Sequence, residues 1–199
     1  MKYSMKYPMN YPVLSAALAA TVLAGAAAVA GDADPREAEA RALVKRFVGT
    51  VKPLLTSTIQ GQGPVAAIEI CAEQAPALAD QLSEETGWSV GRVSLKPRNA
   101  ERAQPDTWER EQLERFAARA ADGTPGPMLN HGEVVDGRYR YMQAQPVGGV
   151  CLVCHGETLD PAVAEAIEAY YPDDRATGYQ LGEIRGAITL MAPAEGAGP

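Results

Sequence analysis

Apolar side chains recur at helical spacing through the first part of the chain. Ala40, Leu43, Phe47, Val51, Leu54 and Leu55 form one stripe behind a start signal at Asp34 and Pro35, which predicts a long first helix. Pro53 falls inside the stripe and predicts a kink or a split, because its ring lacks an N–H and crowds the preceding turn. Gly61 and Gly63 interrupt the pattern. Pro64 is placed to open a second helix, on which Ile68, Cys71, Ala75, Leu78 and Leu82 share one face until Gly87. Residues 88–95, WSVGRVSL, are β-branched and roughly alternating, and predict a strand. DTWEREQLERFAARAADG predicts a third helix capped by Asp106. Val134 and Val135, a turn at Asp136-Gly137, and alternating Tyr139, Tyr141 and Gln143 predict a hairpin. A short helix in PAVAEAIEAYY and a last strand in EIRGAITLMA complete the order. Helices first and hairpin-spaced strands afterwards imply an α+β domain with an antiparallel sheet.

The first thirty residues follow a different pattern. Lys2 and Lys6 precede an Ala-rich apolar run, VLSAALAATVLAGAAAVA, that ends in Ala28-Val29-Ala30, and no acidic residue occurs before Asp32. That is the pattern of a secretory signal peptide cut after Ala30, which places the mature chain in the periplasm. An uncleaved membrane anchor is the competing reading; the high alanine content and the small-x-small site favour cleavage. The remainder, 31–199, has the length of one domain. The chain as a whole carries 18 basic and 25 acidic residues. An acidic balance argues against nucleic acid or an anionic membrane as partner.

The concentrated chemistry lies in Cys151-Leu152-Val153-Cys154-His155. This spacing is the attachment signature for haem c: two thiols add to the vinyl groups, and the adjacent histidine is the proximal ligand of the iron. A thioredoxin-type disulfide would need the motif to follow a strand and open a long helix, which the pattern does not offer. A zinc site would need a fourth ligand, and Cys71 completes a Cys3His set on paper.

Cys71 is the chain's only other cysteine. Its place on an apolar stripe suits a core thiol, since free cysteine is commonly buried. It also suits an iron ligand approaching from the distal side, and Pro76 would distort the helix beside it by removing the bond to the Ala72 carbonyl. His131, Met128, Met142 and Met191 are rival sixth ligands. Arg92, Lys96 and Arg98 form a basic cluster suited to the two haem propionates, with Arg98 the favoured member because a guanidinium fork binds carboxylate bidentately.

Several blocks in fixed order carry a wider resemblance: AIEICAEQAPALA, TGWSVGRVSLKPRN, WEREQLERF, CLVCHGE and YPDDRATGYQLGEIRGAI. From about residue 60 to 190 the chain resembles a family of periplasmic, single-haem c-type proteins with a PAS-like fold described for a cyanobacterial member. The resemblance implies a PAS-like antiparallel sheet with N-terminal helices and one haem c packed against it. It also implies axial ligation by His155 and Cys71. AERAQP follows PRN here where the family often has a Pro-Asx pattern, so this loop departs from the family form.

Thiolate ligation implies a low reduction potential. The leading functional expectation is a redox or gas sensor whose partner is a redox protein or a small gas ligand. A simple electron-transfer cytochrome is the second reading. A haem enzyme of sulfur-compound oxidation is the third, resting on ligand similarity alone. The sequence leaves open whether the domain is a monomer or a dimer.

Overall fold

The computed structural model describes residues 34–194. The expected signal peptide, 1–30, and most of the Ala/Gly/Pro tail lie outside the described residues. Asp34 caps helix α1 (Pro35–Gln62) by accepting from the Arg36 amide at 2.9 Å. Pro53 neither splits nor ends this helix. The carbonyl it leaves unpaired belongs to Gly49, and both residues are exposed, so water can satisfy the group. Gly63, in a positive-φ conformation, separates α1 from α2 (Pro64–Glu69).

The second predicted helix is present but not uniform. Between α2 and α3 (Ala75–Thr86) the turn Ile70–Gln74 is π-helical, and the Ala75 amide bonds back to the Ile70 carbonyl. Pro76 accounts for this. It has no N–H to give Ala72, and its ring would strike that carbonyl in an α-helical turn; one extra residue in the turn relieves the clash. Gly87, left-handed at φ 72°, closes α3.

Strands β1 (Ser89–Val93), β2 (Asn130–Val135), β3 (Arg138–Pro146) and β4 (Ile184–Met191) form one antiparallel sheet in the order β1-β4-β3-β2. Positive φ at Asp136 and Gly137 makes the β2–β3 connection a type I′ turn. The last strand therefore lies inside the sheet and β1 on its edge. On one face Leu43, Phe47 and Leu82 from α1 and α3 pack on Val90, Tyr141 and Leu190. On the other face α4 (Thr107–Ala121) sets Leu113 and Phe116 against Val93, Met142 and Ala187. A capping box between Asp106 and Glu109 starts α4. The α+β class with an antiparallel sheet is thus the one the patterning implied.

Two short helices follow β3: α5 (Leu152–His155) and α6 (Pro161–Tyr170). Among the described residues no helix is long and apolar enough to cross a membrane.

The end of β1 depends on a missing side chain. A Cβ at Gly186 would stand 2.4 Å from the Val93 carbonyl oxygen, so β1 and β4 can close there only over glycine. Gly186→Ala is expected to destabilise the domain by about 1–3 kcal/mol, the usual cost of overpacking, read as a fall in the urea midpoint.

Candidate functional site

The Cys151–His155 segment is a compact turn in which a 3-10 turn (Gly149–Cys151) leads into the single turn of α5. All three cysteines are unpaired thiols and half-buried. Cys151 and Leu152 pack against Val147, Ala176 and Tyr179. Cys154 packs on the opposite side, with Ile68, Ala72, Val163, Ile167 and Tyr171. Burial pushes the Cys154 thiol pKa up. Gly156 ends α5 with a bond from its amide to the Leu152 carbonyl (3.0 Å), and a Cβ there would come within 2.7 Å of that oxygen.

His155 is fixed in one orientation. Its Nδ1–H donates to the Ala176 carbonyl at 2.7 Å, which leaves Nε2 as the free lone pair. The Arg185 Nε–H faces the same ring, 3.2 Å from Nδ1 and 3.4 Å from Nε2, and Tyr179 stands edge-on to it. Burial first, then the Arg185 and Arg98 charges, pull the imidazole pKa down to about 2. The ring is therefore neutral at physiological pH, the form that can donate a lone pair to a metal.

Facing His155 is a cavity of about 420 Å³ between α3, the edge strand β1 and the loop after it. Cys71, Ala75 and Pro76 supply one wall, and Arg92, His155, Tyr171 and Arg185 another part of the lining. The π-turn brings Cys71 to this cavity, and the Ile68–Ala72–Cys154–Tyr171 cluster ties its helix to the Cys151–His155 turn and α6. The sequence brings together two residues far apart in the chain, Cys71 and His155, around one space. Among the described residues no three His, Cys, Asp or Glu side chains converge on a point that would hold a metal ion. The tetrahedral Cys3His arrangement is accordingly not formed.

The remaining candidates divide cleanly. His131 lies on β2, 3.1 Å from Glu133 and beside the Trp108 ring, and is not among the lining residues. Met128 is 60% exposed on a surface turn, and Met142 is wholly buried under α4. Met191 does line the cavity, near Ser89, its partner across the β1–β4 ladder. Lys96 places its ammonium on the Thr177 carbonyl (3.1 Å) and over the Tyr179 ring, away from the lining. Arg98 is buried and lines the cavity, yet its fork is taken up within the protein. Nε and Nη2 grip Asp174 at 3.1 and 3.2 Å, and Nη2 also donates to the Cys154 (2.6 Å) and Ala176 (3.2 Å) carbonyls. Arg98 thus ties the loop after β1 to both ends of the His155 support.

The model of the Tll0287-like family (Tll0287) matches residues 17–193. The chain belongs to the Tll0287-like family. No protein of curated function matches it. Its fold is similar to the crystal structure of the cyanobacterial haem protein Tll0287, at TM-score 0.64 and 23% identity, over 81% of this chain and 97% of that one.

In this Tll0287-like chain two lining residues escape the sequence patterns. Arg185 sits in the β-branched last strand and reads locally as a solvated strand residue, but it reaches the His155 ring. Its Nη1 is anchored on Ser94 Oγ at 2.9 Å and the Lys96 carbonyl at 3.3 Å. Burial, and then the nearby Arg92 charge, pull its pKa down to about 10. Tyr171 follows α6; burial first, then the Cys71 thiol, push its hydroxyl up to about 12.

Replacing Arg98 tests the clamp. Arg98→Ala leaves the buried Asp174 charge without its cation and removes a donor from the Cys154 and Ala176 carbonyls, and is expected to cost about 3–5 kcal/mol in chemical denaturation. Arg98→Lys should recover only part of that, because an ammonium cannot span carboxylate and carbonyls together.

Proposed function

We propose that the protein is an exported haem c protein in which Cys151 and Cys154 hold the cofactor covalently and His155 and Cys71 are its axial ligands. It acts as a redox or gas sensor module in the periplasm. The observation that carries this reading is that Cys71 and His155 line one cavity, with His155 as the last residue of the two-thiol turn. The donor set fits the group: a neutral imidazole whose Nε2 meets only the Arg185 Nε–H at 3.4 Å, a thiol across the cavity, and two unpaired half-buried thiols on the turn, beside the lining rather than in it. The similar cyanobacterial structure is described as that of a haem protein, which adds support.

When bound, such a cofactor would supply one-electron exchange at iron and, where Cys71 leaves it, a position for a small gas. The chain's own residues set the conditions for that chemistry. Ala176 holds the imidazole tautomer through Nδ1, and the Arg98 clamp holds the carbonyl frame on which the turn rests. Cys71 stands on the π-turn between α2 and α3. A change in what its sulfur touches is transmitted to α3, which packs on the sheet through Ala75, Ala79 and Leu82. A ligand carried by a helix that is itself packed on the core gives a sensor its moving element.

Binding is favoured over catalysis by the polar lining. The cavity's carboxylate, Glu109, is taken by Arg140 at 3.1 Å and the Thr189 hydroxyl at 2.6 Å, so no free acid–base pair stands in the lining among the described residues. The alternative of a plain electron carrier keeps the same residues and differs in one respect: its ligands stay in place on reduction. Met191, which lines the same cavity, is the rival distal ligand under that reading.

Electron paramagnetic resonance of the ferric protein, matured in cells that attach haem c, tests the assignment. A low-spin signal with the narrow g-spread of thiolate ligation is expected, lost in Cys71→Ala and kept in Met191→Leu. A thiolate signal missing from the wild type, or one that survives Cys71→Ala, overturns the Cys71 assignment. Cys151→Ser with Cys154→Ser is expected to abolish haem staining that survives denaturing electrophoresis.

A further inference from the structure

Charge is unevenly shared around the cavity. Five arginines line it: Arg92, Arg98, Arg102, Arg140 and Arg185. Three are answered by carboxylates. Asp174 holds Arg98, Asp80 holds Arg102, and Asp106 with Glu109 holds Arg140. The other two are not. The Arg92 side chain makes no hydrogen bond, ion pair or ring contact among the described residues. Arg185 contacts neutral partners alone: Ser94, the Lys96 carbonyl, the His155 imidazole and the Tyr179 ring. The carboxylate whose charge reaches Arg185 is Asp174, and Arg98 already grips it.

Two guanidinium charges near one another in a partly closed space, with no counter-charge of their own, are costly to maintain. Such an arrangement is repaid when anions enter, and planar forks select carboxylates. The two residues lie on neighbouring strands, with Arg92 opposite Ile188 in the ladder and Arg185 three positions further along β4. That offset amounts to roughly 10 Å along the strands, and both side chains line the same cavity, so each fork can take a carboxylate of its own.

We propose that Arg92 and Arg185 form a two-carboxylate site that takes the two propionates of the haem. This site rests on the haem reading above and makes its polar half specific. It transfers the role from the residues the sequence favoured. Lys96 is spent on Tyr179 and Thr177, Arg98 belongs to Asp174 and the turn carbonyls, and Arg185 takes their place. Arg185 would exchange its contact with the His155 ring for a carboxylate, while Ser94 keeps hold of Nη1.

Resonance Raman spectra of the haem-loaded full chain test this through the propionate bending bands, with covalent haem quantified separately as the pyridine haemochrome. Arg92→Gln and Arg185→Gln are each expected to shift those bands while haem content stays at one per chain, and Lys96→Gln is expected to leave them unmoved. Arg92→Gln breaks no side-chain contact in the protein, so it remains decisive if Arg185→Gln fails to fold. Bands unmoved in Arg92→Gln with haem attached overturn this site and leave the haem reading standing. A wild-type chain with no attached haem overturns the haem reading first, and the site with it.

Discussion

A buried guanidinium holds the site together. Arg98 leaves the loop after β1 and crosses to the chain segment that carries His155, closing on Asp174 and on the carbonyls of Cys154 and Ala176. Ala176 is also the acceptor that fixes the His155 ring, so one side chain governs both the carbonyl frame and the imidazole orientation. The charge is buried, but it is met by a carboxylate and by carbonyl oxygens, the condition under which a buried ion is tolerated. A lysine at this position would offer the charge without the geometry.

The opposite wall is set by a residue that cannot donate a hydrogen bond. Pro76 opens the turn at Ile70–Gln74, and the extra residue in that turn changes the direction in which its side chains leave the helix. Cys71 is thereby aimed at the cavity while Ala75, Ala79 and Leu82 beyond it keep their packing on the sheet. The local hydrogen-bond loss is small beside the burial retained by α3. The edge position of β1 completes the space, because no further strand pairs with it and the cavity opens along that side.

Electrostatically the cavity is divided. Toward Glu109 and Arg140 every charge is matched, and those groups brace α4 against β3 and β4. Toward His155 the guanidinium charge of Arg92 and Arg185 is in excess, and it helps keep the imidazole neutral. On the proposed reading, that surplus positive charge beside a neutral nitrogen donor and a thiol suits an anionic group that also carries a metal. A wholly apolar pocket would not need the charge, and an acid–base catalyst would not need it unopposed.

The chain's local pattern was enough to determine most of its elements: the Asp34 and Asp106 caps, the Pro64 start and the Asp136-Gly137 turn all follow from neighbours within a few residues. Hydrophobic periodicity also placed Cys71 on an inward stripe, where spacing alone favours a core thiol over a ligand. Tertiary packing decided between faces. It continued α1 through Pro53, where Gly49 and Pro53 are both exposed, and it withdrew Met142 and His131 from the site by placing them under and beside α4. It gave Arg98 to Asp174 and brought Arg185 to His155. Sequence reading counts a charge without knowing which opposite charge it meets, and that pairing exists only once strands and loops distant in the chain are packed together.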